Sequence, residues 1–322
     1  MTRPSTVLPT DEPRRRRQTI LTLVLLLAAL LAGVAQSSSR AAGVASAAAR
    51  TDRAATGTGW DAIGRPSATD AGTTRGTGAG STRPTVVLVH GAFADSSGWS
   101  QTVGQLTDDG YPVVAVANPL RGLTADANYV RSFLQTVPGP IVLVGHSYGG
   151  AVITNAARGV SNVRALVYVG AFVPDAGESI ATAADPVRFP GSLLGPDTTV
   201  VRPVANPAAP DGQDVDIYIS LEKFRQVFAA DVSAQRADAM ARTQRPLTAT
   251  ANFEPSGEPA WKTIPSWDLV TTADNAIPPA AQQAMAARAG AHVTTVVSAH
   301  DVMVSHPAAV TKIIEQAARA VS

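Results

Sequence analysis

From about Pro84 onward the chain alternates between short apolar runs and amphipathic segments. "TVVLVHG" (85–91), "PVVAVANP" (112–119), "IVLVGHS" (141–147) and "VRALVYVGA" (163–171) are dense in Val, Leu and Ile, as strands buried on both faces should be. "WDLVTTAD" (267–274) and "HVTTVVSAH" (292–300) continue the series. Segments with helical period lie near 98–109, 124–136, 148–159, 279–289 and 307–320, the last with Pro307 at a first-turn position. Strands alternating with helices predict an α/β fold: a mostly parallel sheet with right-handed crossovers and helices on both faces. One interval breaks the rhythm. About ninety residues, roughly 174–264, separate the fourth strand from the fifth, with proline-rich turns and a helical stretch near 216–243. Such an insertion predicts a helical cap over the carboxyl ends of the strands, where open α/β sheets bind ligands.

The first eighty residues read differently. Arg14 to Arg17 form a positive cluster, followed by an uncharged apolar run from Ile20 to Ala35 and by small-residue stretches ending at Ala35 and Ala49. That order predicts an export signal over 1–35 and a secreted protein with no stable membrane association after cleavage. A retained membrane anchor is the other reading, although the run is short for a span of about 20 residues. Thr19 sits where a twin-arginine signal prefers a bulky apolar residue, so the export route stays open. Residues 36–83 are Ala, Gly, Ser, Thr and Arg with almost no large apolar side chains, which predicts a disordered linker. The globular domain is then expected over 84–322.

Composition narrows the function. Of the 322 residues 45% are hydrophobic and 16% charged, enough to bury a large core. A net charge of +1 argues against a nucleic-acid partner. The chain has no cysteine, which excludes disulfides within it, thiolate metal sites and a cysteine nucleophile. No phosphate-binding Gly-x-x-x-x-Gly-Lys pattern and no metal-ligand cluster is present, so neither metal nor cofactor is expected.

The chemistry gathers at "GHSYG" (145–149), which stands where the third strand passes into a helix. A serine between two glycines at that junction is the nucleophile elbow, in which small neighbours let the hydroxyl project above the sheet. Ser147 therefore needs a base. His90 and His146 fall in local structural positions and His292 opens a strand. His300 follows the last strand at the same carboxyl edge as Ser147, and His306 in "SHP" reads as the cap of the final helix. Asp274, ending the strand "WDLVTTAD", supplies the orienting acid in the order Ser…Asp…His, with Asp175 in "AFVPD" the alternative. The oxyanion would be held by backbone N–H groups of Tyr148 and of Ala92 in "HGAF", with Phe93 the runner-up for the second donor. Phe93 otherwise lines the substrate pocket, as Trp261 is expected to do from the cap, alongside Phe189, Leu193, Leu194, Phe224 and Phe228.

"VLVHGAF…W", "VGHSYGGAVI", "LVYVGAFVPDAGES", "DNAIPP" and "SAHDVMVSHP" together resemble the α/β-hydrolases, and within them the branch of plant methyl salicylate esterases, hydroxynitrile lyases and bacterial secreted esterases. The resemblance covers most of the chain from Pro84 except the cap. It implies a sheet without the usual first hairpin, and cofactor-free hydrolysis of a small-molecule ester. Lyases of that branch carry a threonine after the first-strand histidine and a lysine after the catalytic one. Here those positions are Gly91 and Asp301, which favours a carboxylic ester hydrolase over a lyase. A cofactor-free haloperoxidase or a lactone hydrolase would share the same triad.

Overall fold

A computed structural model describes residues 83–322. The expected signal over 1–35 and all but the last residue of the expected linker lie outside the described residues. Six parallel strands form the central sheet: β1 (Thr85–Val89), β2 (Val113–Val116), β3 (Ile141–His146), β4 (Val163–Val169), β8 (Ser266–Thr271) and β9 (His292–Val296). Their spatial order is β2-β1-β3-β4-β8-β9. β3 lies near the middle, in register with β1 from Thr85↔Ile141 to Val89↔Gly145, and every residue of it is buried. The apolar runs of β1, β3, β4 and β8 are buried on both faces because helices cover them. β9 departs from that expectation. Four of its five residues are exposed, since it is the edge strand and has a neighbour on one side only.

The helices are α1 (Ser100–Asp108), α2 (Leu123–Leu134), α3 (Tyr148–Ala156), α8 (Pro279–Arg288) and α10 (Pro307–Val321) around the sheet. α1 packs against α10, and α2 against α3. Pro279 and Pro307 occupy first-turn positions of α8 and α10, where no N–H is missed.

The insertion after β4 corrects the expectation of a helical cap. It contains short helices, α4 (Ile180–Ala183), α5 (Leu221–Phe228), α6 (Ala234–Thr243) and α7 (Ala249–Phe253), but also a three-stranded antiparallel sheet. The strands are β5 (Thr199–Ala205), β6 (Gln213–Ile219) and β7 (Leu247–Thr248). Residues 216–219, expected as helix, belong to β6, whose "DVDI" alternates polar and apolar with the period of a strand. Asp211-Gly212, with Gly212 at φ 74°, closes the turn into it.

Candidate active site

Ser147 is placed by the junction of β3 and α3. Its backbone has φ 53° and ψ −125°, a conformation non-glycine residues adopt only under constraint. The constraint comes from packing. A Cβ on Gly145 would fall 2.5 Å from the Gly149 carbonyl oxygen, and one on Gly149 would fall 2.5 Å from that of Val89. Only glycines let the turn close this tightly against β1.

The structure brings Ser147, His300 and Asp274 together. His300 Nε2 lies 2.8 Å from Ser147 Oγ, and His300 Nδ1 lies 2.8 Å from Asp274 Oδ2. All three residues are buried. Asp274 is heavily held: its Oδ1 accepts the N–H groups of Ala276 (2.7 Å) and Ile277 (2.9 Å), and its Oδ2 accepts from Thr271 Oγ1 (2.8 Å) and Gln282 Nε2 (2.9 Å). Those donors fix the direction of its carboxyl group. Gln282, on α8, had no signal in the sequence beyond its place in an apolar helix.

Asp175 stands elsewhere, 3.2 Å from Lys262 Nζ on the protein surface. His306 is the residue preceding α10, yet its side chain makes no capping bond there. Its Nδ1 lies 3.0 Å from Ser305 Oγ and 3.6 Å from the Asp231 carboxylate. Asp231, in the loop between α5 and α6, accepts the Ala299 N–H at 2.9 Å and Ser298 Oγ at 3.0 Å. The cap thereby grips the residue just before His300. His146 grips the residue itself, with its Nε2 2.9 Å from the His300 carbonyl oxygen. Burial holds the His146 imidazole well below its ordinary value, so it stays neutral and donates that bond. Burial likewise lowers His90 to about 4.

Around the expected oxyanion donors, the Phe93 N–H is taken by the Arg245 carbonyl at 2.8 Å. Among the described residues the N–H groups of Ala92 and Tyr148 have no such partner. Phe93, at φ 60°, packs edge-on against Phe228, and Phe228 in turn packs against the His300 ring at 4.9 Å between centroids. A cavity of about 130 Å³ opens beside these two rings, lined also by Met240, Gln244, Met303 and Val304. A larger concavity of about 540 Å³ lies at the opposite edge, against the amino ends of β4 and β8, and is lined by Val163, Ile264 and Val321. The smaller one is the candidate pocket, because Phe228 in its lining packs against the His300 ring. Trp261 does not line it. Its turn leads directly into the amino end of β8, and its indole N–H donates to the Pro174 carbonyl at 3.1 Å.

Asp301 directly follows the base. It is fully buried, and neither carboxylate oxygen has a hydrogen-bond partner among the described residues. Burial first, and the Asp231 charge second, push its carboxyl up to about 7. Burial therefore favours the neutral carboxyl beside His300.

Known proteins agree with this architecture. A carbendazim-hydrolyzing esterase of Nocardioides sp. (strain SG-4G) is 34% identical over 107 residues, which are 29% of this chain and 44% of that protein. The chain thus spans less than half the length of that curated relative. Polyneuridine aldehyde esterase superposes with a TM-score of 0.61 at 18% identity, over 73% of this chain and 98% of the other. An extracellular alpha/beta-hydrolase from a Paenibacillus species, described as homologous to tobacco salicylic acid binding protein 2, gives 0.59 at 22%, over 73% and 98%. A family model matches residues 86–313, more than two thirds of the sequence, and with this sheet it settles the family: this chain belongs to the alpha/beta hydrolase family.

Proposed function

We propose that this protein is a serine carboxylic ester hydrolase acting on small, largely apolar esters. The observation that carries the reading is the continuous pair of 2.8 Å contacts from Ser147 Oγ through His300 to Asp274. His300 Nε2 takes the Ser147 proton as Oγ attacks the ester carbonyl, while Asp274 holds Nδ1–H and stabilises the imidazolium. The tetrahedral oxyanion is received by the N–H groups of Ala92 and Tyr148. Collapse expels the alcohol, which takes the proton from His300. A water then gives its proton to His300 and attacks the acyl-enzyme, releasing the acid and restoring Ser147.

The substrate class rests on the cavity. At about 130 Å³ it falls below the range of roughly 300–1,000 Å³ typical of drug-sized ligands, so it accepts a short acyl or alkyl group. Gly91 speaks against cyanohydrin cleavage. A Cβ there would fall 2.6 Å from Ser147 Cβ, so this backbone has no room for the threonine that such lyases carry. The relatives described as esterases support ester hydrolysis in general. The test is Ser147→Ala. It should lower kcat by about four to six orders of magnitude with the fold intact, as loss of a triad nucleophile does elsewhere. Unchanged ester turnover in the folded variant would exclude the mechanism.

A further inference from the structure

The side chain of Tyr148 leaves the reaction centre and enters a buried polar chain. Its hydroxyl donates to Asp126 Oδ2 at 2.8 Å, and both residues are 0% exposed. Burial raises the phenol well above its ordinary value, so it remains a donor at any working pH. The Asp126 carboxylate also accepts the Arg121 backbone N–H, at 3.1 Å from each oxygen. From Arg121 the chain passes into the cap. The guanidinium pairs with Asp216 of β6 at 2.7 Å and donates to the Pro246 carbonyl at 3.1 Å. The Arg121 carbonyl accepts from Asn206 Nδ2 at 2.7 Å and Thr248 Oγ1 at 3.0 Å.

The same loop reaches the other oxyanion donor. The Asn118 N–H donates to His90 Nε2 at 3.0 Å, and Asn118 Nδ2 donates to the His90 carbonyl at 3.0 Å. His90 Nδ1 then meets the Gly91 carbonyl at 2.9 Å, one residue before Ala92. Between these two branches Leu120 is held at φ 63°, and its carbonyl accepts the Thr248 N–H at 3.3 Å. A left-handed leucine persists only where its surroundings impose it, and here a cap strand does so.

We propose that the Asn118–Gly122 loop transmits the seating of the cap sheet to the oxyanion hole, with Arg121 the positioning residue for the N–H groups of Tyr148 and Ala92. The inference rests on the assignment of those two donors under the proposed function. Its physical basis is that each member is buried or half-buried, so a partner lost at one end leaves an unsatisfied group that the remainder must move to satisfy. A network that merely fastened the cap would change stability or substrate binding. One that aligns the hole changes the rate of the chemical step.

The experiment uses the full chain and three variants: Arg121→Met, Asp216→Asn and Tyr148→Phe. Turnover of an aryl acetate, inhibition by an aryl trifluoromethyl ketone, and stoichiometric labelling by a serine-directed phosphonate are measured on each. Arg121→Met and Asp216→Asn should lower kcat about tenfold, with KM changed less than about twofold, and should weaken the ketone by a similar factor. Combining Arg121→Met with Tyr148→Phe should cost no more than the worse single change, because both break one chain. If Arg121→Met does not fold, Asp216→Asn carries the test from the cap side. Unchanged kcat in the folded variants overturns the inference, as does a raised KM with kcat intact. A wild type that fails to label at Ser147 overturns the hydrolase reading and this inference with it. A labelled wild type with unaffected variants overturns this inference alone.

Discussion

Ser147 sits at φ 53°, where the usual ranking of small residues inverts. Alanine normally stabilises relative to glycine by about 0.4–1 kcal/mol through the unfolded chain. At this position the strain on a Cβ, of order 1–3 kcal/mol, outweighs that term. Ser147→Gly should therefore melt at a higher temperature than Ser147→Ala, by a few degrees for a domain of this size, with both inactive. Calorimetry of the two variants decides it, and the opposite order would show that the elbow is unstrained. Asp268 offers a second test at this scale. It lies in the middle of β8, fully buried, with no partner for either carboxylate oxygen among the described residues, and burial raises its carboxyl well above 3.8. A raised folded value means that its share of stability is complete below the ordinary value and is lost as pH climbs through the higher one. Asp268→Asn should gain stability relative to wild type as pH increases above the ordinary carboxylate value, read by urea unfolding. A pH-independent difference would mean that the carboxyl finds a partner in solution.

Among the elements, the loop carrying His300 is shaped from both sides, by His146 of β3 and by Asp231 of the α5–α6 loop. Asp231→Ala frees the Ala299 N–H and should lower kcat about tenfold, as loss of orientation at a catalytic group does. Asp231→Asn keeps an acceptor and should recover part of that loss. His306→Ala removes neither a capping bond nor a contact to Ser147, so it should stay within about 0.5 kcal/mol of wild type and keep its activity. Kinetics of these variants beside His300→Ala, which should be nearly inactive, separate the two histidines. An inactive His306→Ala would reverse the assignment of the base. The strands and helices around the sheet were legible because burial on both faces demands continuous apolar runs and because prolines mark helix starts. The cap sheet was not. Its alternation in β6 is short, and Ala, Arg and Gln in the following helices have strong helical preference, which spread the apparent helix across residues 216–219.

For the whole molecule, the cap and the small cavity predict selectivity by size. Short-chain aryl esters and methyl esters of small aromatic acids should be hydrolysed much faster than long-chain triglycerides, and mandelonitrile should release no cyanide. Side-by-side rates check this: preference for triglycerides would refute the small pocket, and cyanide release matching ester turnover would refute the hydrolase reading. The order of arginines, apolar run and small residues over 1–35 supports the proposal that the protein is exported. Intact-mass measurement of the protein from the culture medium should show a chain shortened near Ala35 or Ala49, and a full-length chain held in the cell membrane would favour an anchor.

Local sequence alone specified the order of strands and helices, the elbow at Ser147 and the placing of His300 and Asp274 after strands, because each depends on spacing within a few residues of a buried run. It could not place Trp261, whose indole N–H is held by the Pro174 carbonyl away from the candidate pocket, nor reveal Gln282, Asp231 and the Arg121 network. Those contacts join residues as far apart as 127 positions, as between Arg121 and Thr248, and leave no periodic trace along the chain. Only packing of the cap onto the sheet decides which polar groups lose water, and a group that loses water must find its partner wherever the fold has brought one.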